Sequence, residues 1–192
     1  RLNATSRLLE TQGEPLLMDQ SGALLRFNRS QSGGAGLFPS LERLQTTGRP
    51  KSVRIADIDG DGEADLVTAN QNSNDVSVFI GNGDGTFQAA QAFAAGSSPQ
   101  SVAIADLDGD GAVDLVTANT GFIDDVSILL GNGDGTFQSA QSVEVGNSPQ
   151  SVAIADVDGD GAADLVTANN GSDDVSVLLG NGDGTFQAAQ PF

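Results

Sequence analysis

The sequence predicts an all-β chain built from repeated units of four short antiparallel strands. Three observations carry this prediction. One stretch recurs three times, as SVRIADIDGDGEADLVTAN at 52–70, SVAIADLDGDGAVDLVTAN at 101–119 and SVAIADVDGDGAADLVTAN at 151–169. A second shared stretch follows each copy: DVSVFIGNGDGTF (75–87), DVSILLGNGDGTF (125–137) and DVSVLLGNGDGTF (174–186). Within the copies, apolar residues alternate or form short β-branched runs stopped by Gly and Asp, and no stretch sustains a helical period.

The spacing sets the architecture. Asp57 to Asp106 spans 49 residues and Asp106 to Asp156 spans 50. A fixed period of this length marks an array of stacked units. The extra residue falls in the connection around Phe122 and Ile123, where an insertion is tolerated. Inside a unit, Ser-Val-Ala-Ile-Ala is the first strand and ends at an Asp-rich loop. Asp-Leu-Val-Thr-Ala is the second. Asp-Val-Ser-Val-Leu-Leu alternates as the third and stops at Gly-Asn-Gly-Asp-Gly, a strong turn signal. Thr-Phe-Gln-x-Ala-Gln with the next few residues makes the fourth, and Ser-Pro-Gln leads onward. Four short strands in about 50 residues is the pattern of a β-propeller blade.

The expected units run 51–99, 100–149 and 150–192, the last incomplete at its end, after a degenerate unit at 1–50. In that first unit, residues 13–18 align with 62–67, Ala23-Leu24-Leu25-Arg26-Phe27 replaces the third strand, and Gly36-Leu37-Phe38 resembles Gly85-Thr86-Phe87. It lacks the Asp cluster and reads as a metal-free or capping blade, a device that repeat arrays use at their ends. About four blades are expected in the chain.

Composition excludes several chemistries. The 192 residues include no Cys, His, Trp or Tyr, so disulfides, thiol catalysis, a Ser–His–Asp triad and His-ligated zinc are ruled out within this chain. The formal net charge is −18, and it is segregated. All eight bases (Arg1, Arg7, Arg26, Arg29, Arg43, Arg49, Lys51, Arg54) lie in the first 54 positions with only four acids, giving about +4. Residues 55–192 hold 22 acids and no base. Such a surface repels nucleic acid and anionic lipid. No apolar run approaches the roughly 18 residues needed to span a bilayer, so membrane insertion is not expected. No initiator Met or signal segment is read at the start, so an extracellular address rests on the loops described next. Asn3-Ala4-Thr5, Asn28-Arg29-Ser30 and Asn170-Gly171-Ser172 match the glycosylation sequon.

The Asp-rich loop reads Asp-x-Asp-Gly-Asp-Gly-x-x-Asp. Its carboxylates are Asp57, Asp59, Asp61 and Asp65 in the first copy, Asp106, Asp108, Asp110 and Asp114 in the second, and Asp156, Asp158, Asp160 and Asp164 in the third. Four like charges a few Å apart cost several kcal/mol at an effective dielectric of roughly 20 unless neutralised. Ordinary solvated turns account poorly for three copies. Calcium takes six to eight hard oxygen ligands in forgiving geometry, whereas magnesium's octahedral shell rarely uses so many carboxylates. Positions 1, 3 and 5 of a tight curl face one centre, and the glycines at 4 and 6 permit the curl. Position 7 (Glu63, Ala112, Ala162) offers its backbone carbonyl, consistent with its varied side chain. Position 9 closes the site. The loop is not an EF-hand, because position 12 is Thr68, Thr117 or Thr167 and not Glu, and strands flank it. About three Ca2+ are expected. Three dications would bring the −22 of residues 55–192 to −16.

These loops resemble the calcium loop of FG-GAP/VCBS repeats, the blades of integrin-α-like β-propellers. The resemblance covers roughly residues 50–192. The family's Phe-Gly and Gly-Ala-Pro punctuation is degraded, with Pro99-Gln100 and Pro149-Gln150 near the first and Thr-Ala-Asn in place of the second. The resemblance implies an extracellular or cell-surface module, the periplasm being an alternative, that serves adhesion, ligand binding or scaffolding. It implies seven blades in a closed ring. Further blades, a second chain, another protein or a small four-bladed closure are the ways to complete one. The partner class is a protein or glycan. Because no nucleophile–base constellation is present, the chain reads as non-catalytic. An accessory propeller of a secreted hydrolase and a scaffold subunit of a larger assembly are the alternatives. The Gly-Asn-Gly-Asp-Gly loops read as hairpin turns, Phe87, Phe137 and Phe186 as inter-blade packing, and Asp124-Asp125 and Asp173-Asp174 as solvated turn acids.

Overall fold

The computed structural model of the chain describes residues 8–11, 14–18, 24–26 and 44–192. It divides into two compact units, Arg1–Leu44 and Gln45–Phe192. In the first unit, β1 (Leu8–Thr11), β2 (Glu14–Met18) and β3 (Leu24–Arg26) form an antiparallel sheet in that order. Leu9 lies opposite Leu16, and Leu17 opposite Leu25. The expected likeness of Gly36-Leu37-Phe38 to the later units lies outside the described residues.

The second unit holds three four-stranded antiparallel sheets, each a simple meander. The first comprises β4 (Pro50–Ala56), β5 (Asp65–Asn70), β6 (Asp75–Phe79) and β7 (Gln91–Ala94). The second comprises β8 (Pro99–Ala105), β9 (Asp114–Thr120), β10 (Asp124–Leu129) and β11 (Gln141–Glu144). The third comprises β12 (Pro149–Ala155), β13 (Asp164–Asn169), β14 (Asp174–Leu178) and β15 (Gln190–Pro191). These are propeller-like blades, and the three do not close a ring among the described residues. No described helix is long and apolar enough to cross a membrane.

Local chemistry explains the strand limits. Each first strand opens on Pro, whose missing N–H suits a strand start, and the register shifts directly after it, as between Pro99 and Ser101. The β-branched pairs Val67–Val78, Val116–Ile128 and Val166–Val177 sit opposite one another in the central hairpins. The fourth strand begins later than the sequence indicates. Thr-Phe-Gln instead closes the preceding loop through isolated bridges Gly81–Phe87, Gly131–Phe137 and Gly180–Phe186. Pairing resumes only at Gln91, Gln141 and Gln190.

The core lies between blades. One cluster joins Val67, Ala69, Val76 and Val78 of the first blade to Val102, Leu115, Leu129 and Phe137 of the second. Another joins Val116, Ala118, Val126 and Ile128 of the second to Val152, Leu165 and Leu178 of the third. Phe93 meets Phe137 edge to face, with ring centroids 5.2 Å apart. The alternation of each strand thus feeds two interfaces, one forward and one rearward. Burying each Val or Leu in such a core stabilises by about 1.5–3 kcal/mol.

Candidate metal centre

The meander puts the loop between first and second strands at the same end of each blade as the loop between third and fourth. The Asp-rich loops occupy that end. Their glycines adopt the left-handed backbone the curl requires: φ is 76° at Gly60 and 88° at Gly62, with similar values in the other copies. The carboxylate of position 1 collects two backbone N–H groups across the curl, Gly60 and Gly62 to Asp57 at 2.8 and 2.9 Å, repeated at Asp106 and Asp156. Positions 3 and 5 each accept the N–H two residues on, as Asp108 does from Asp110 and Asp110 from Ala112.

Position 9 has a different role in the fold. Asp65, Asp114 and Asp164 are fully buried. One oxygen of Asp114 accepts the N–H of Leu107 and the other that of Gly131, both at 2.7 Å. Asp65 does the same with Ile58 and Gly81, and Asp164 with Val157 and Gly180. This carboxylate therefore staples the Asp-rich loop to the end of the third strand. Each oxygen keeps a further lone pair for a cation.

The structure brings the predicted carboxylates together in threes. Asp57, Asp59 and Asp61 converge in the first blade, Asp106, Asp108 and Asp114 in the second, and Asp156, Asp158 and Asp164 in the third, with oxygens within 4.8 Å of one another in each group. Asp65 falls outside the first group, and Asp110 and Asp160 fall outside the others. At position 7, Glu63, Ala112 and Ala162 donate their N–H to the position 5 carboxylate. The Glu63 side chain lies against Gly83 of the neighbouring loop.

Burial pushes the Asp59 carboxyl up, and the charges of Asp61, Asp65 and Asp57 add to it against an N–H from Asp61. Asp114 is likewise raised, first by burial and then by Asp108 and Asp110, while the Gly131 and Leu107 N–H groups oppose the shift. An all-oxygen donor set, three anions wide and under like-charge stress, suits a hard divalent cation.

The second loop at this end is a self-contained turn. Asp134 accepts both the N–H and the hydroxyl of Thr136, and Asp183 both of Thr185. The hydroxyl hydrogen bond, then the N–H, holds both carboxyls below the usual range.

The opposite end of the blades departs from the sequence-based expectation. Asp125 is not a solvated turn acid; it is buried, 7% exposed. Asn119 donates to Asp125 at 2.7 Å and to Ser127 at 2.9 Å, accepts from Thr117, and Ser142 donates to the other Asp125 oxygen. Asn169 makes the same bonds with Asp174, Ser176 and Thr167. Asn70 makes them with Asp75, Ser77 and Thr68. Asn169, followed by Ser172, lowers the Asp174 pKa. The connector from the preceding blade crosses this cluster so closely that a Cβ on Gly146 would collide with the Asn169 amide. The sequence signal for the cluster is Thr-x-Asn and Asp-x-Ser at matched positions in every copy. Period two places all four residues on one face of a hairpin.

No relative among curated proteins matches the chain. The family model for the FG-GAP-like repeat matches three times, over residues 57–117, 106–167 and 156–192. Each match begins on the first Asp of a loop described above. The chain belongs to the FG-GAP-like repeat family.

Proposed function

We propose that this chain is a non-catalytic, calcium-binding module of an extracellular or cell-surface protein, presenting its blades to a protein or glycan partner. The observation that carries the reading is the threefold convergence of Asp oxygens on loops anchored to the core through position 9. Membership of the FG-GAP-like family supports it. Asp57, Asp59, Asp61, Asp65 and the Glu63 carbonyl would hold one ion, and the matching residues of the other loops one each. The ion supplies positive charge and a cross-link. It relieves the repulsion among carboxylates and ties the exposed curl to the buried staple.

Calorimetric titration with calcium should give about three sites per chain, with Kd of roughly 10⁻⁴–10⁻³ M if the sites resemble those of extracellular modules. Melting temperature should fall in chelator. Magnesium at equal concentration should restore less of it. Superimposable melts with and without chelator, together with no heat of binding, would sink the reading.

A further inference from the structure

We propose that the calcium loops of adjacent blades are coupled, so that filling one raises the affinity of the loop in the preceding blade. The coupling element is the Gly-Asn-Gly-Asp-Gly-Thr-Phe turn between third and fourth strands. The proposal rests on the calcium reading and adds to it a route between sites.

The turns at 131–137 and 180–186 each touch two Asp-rich loops. At its first residue the turn is stapled to the loop of its own blade. Gly131 donates its N–H to buried Asp114 at 2.7 Å, and Gly180 donates to Asp164 at 2.8 Å. At its fifth residue the turn abuts the loop of the blade before. Gly135 and Gly184 are buried, although the three residues ahead of each are exposed. A Cβ on Gly135 would come within 2.9 Å of Ile80 and 3.6 Å of the Asp59 Cβ. One on Gly184 would come within 2.9 Å of Leu130 and 3.4 Å of the Asp108 Cβ. Turn backbone therefore lies directly on position 3 of the neighbouring loop. Position 2 joins the same contact. Ile58 and Leu107 are each 3% exposed. Ile58 shares a buried cluster with Phe137, and Phe186 packs against the cluster that holds Leu107.

The turn moves as one piece because it is tied internally. Asn132 donates its N–H to the Thr136 carbonyl at 3.0 Å, Asp134 accepts the Thr136 N–H, and Gly131 bridges to Phe137. The 180–186 turn repeats these ties. Fixing Asp114 thus fixes Gly131, and Gly135 at the other end holds Asp59 in place. The same route runs from Asp164 through Gly180 and Gly184 to Asp108. Its two states are a turn docked on the preceding loop and a turn lifted from it. Coupling of this kind is reciprocal. Direct electrostatics has the opposite sign: bound dications repel, so an empty neighbour would strengthen a site.

The test is a calcium titration of the 192-residue chain by nuclear magnetic resonance. The amides of Gly60 and Gly62 report on the first loop, and those of Gly109 and Gly111 on the second. Asp106→Asn empties the second loop. Gly60 and Gly62 should then need about fivefold more calcium. In Gly135→Ala the added methyl pries the turn from Asp59, and the further Asp106→Asn change should move the first loop by less than about twofold. Phe137→Leu loosens the same contact without altering the turn backbone and should give the same result. An unchanged or lowered midpoint at Gly60 and Gly62 in Asp106→Asn overturns the proposal. So does an equal shift with and without the Gly135 and Phe137 substitutions. No response at any loop of the wild type sinks the calcium reading and this proposal with it, whereas three loops that fill independently sink the coupling alone.

Discussion

Asp106 and Asp114 belong to the same loop, yet their surroundings predict opposite phenotypes. Asp106 is exposed and holds Gly109 and Gly111 across the curl, bonds that one amide oxygen can partly keep. Asp106→Asn should therefore lower calcium stoichiometry by one and change metal-free stability by about 1 kcal/mol or less. Asp114 is fully buried between two N–H donors. Asp114→Asn turns an amide donor toward one of them, and should cost about 1–3 kcal/mol even in chelator. Urea unfolding in chelator separates the two, and equal midpoints would contradict this assignment. A second residue-level effect concerns acid. Asp183 ionises below the ordinary 3.8 because the Thr185 hydroxyl and N–H favour its charged form. A depressed carboxyl contributes stability above the unfolded value and loses it as pH falls through the folded one. In Thr185→Val the Asp183 carboxyl resonance should titrate nearer 3.8, and acid unfolding should begin at higher pH. An unmoved titration would remove the hydroxyl from the account.

At the scale of the element, the strands were legible because alternation and Gly-Asp punctuation act locally. The Asp-rich loops were legible as clustered carboxylates because four acids in nine residues recur in three copies. The end of the hairpin was harder. Thr-Phe-Gln has strand character, but Phe87 spends it on a single bridge that closes a loop. Asp124-Asp125 has the composition of a solvated turn, and only the opposite strand shows that Asn119 draws Asp125 inward. In the sequence, position 9 reads as an ion ligand alone, and its two amide bonds become visible only when the third strand folds back. The Asn cluster makes its own prediction. Asn119→Ala strands a buried carboxylate and should cost about 1–3 kcal/mol. Asn169→Ala should cost less, because Asp174 is only half-buried. Denaturant midpoints of the two variants should fall in that order, and the reverse order would show that burial of the acid is not what sets the cost.

Across the whole molecule, charge outweighs every other unusual property. Residues 55–192 carry 22 acids with no base among them. In chelator, this part of the chain must rely on mobile ions. Raising ionic strength from about 0.01 to 0.15 M shortens the screening length from about 30 to 8 Å. The chelated protein should therefore melt at a higher temperature as salt rises, by scanning calorimetry, and the calcium-loaded protein should respond much less. Equal salt responses would mean that carboxylate repulsion does not limit the metal-free state.

Near-identity of the blades also bears on how the chain finds its fold. Residues 65–70, 114–119 and 164–169 all read Asp-Leu-Val-Thr-Ala-Asn, and each pairs with an Asp-Val-Ser strand in the same register. To the backbone these partners are interchangeable. β5 reaches β6 across the four residues 71–74, whereas β10 is 53 residues away across 71–123. Loop-closure entropy favours the near partner by about 2 kcal/mol. That margin directs most collapsing chains correctly but leaves strand exchange between blades as a recurrent kinetic trap. Threefold duplication is accordingly felt in refolding yield before it is felt in final stability.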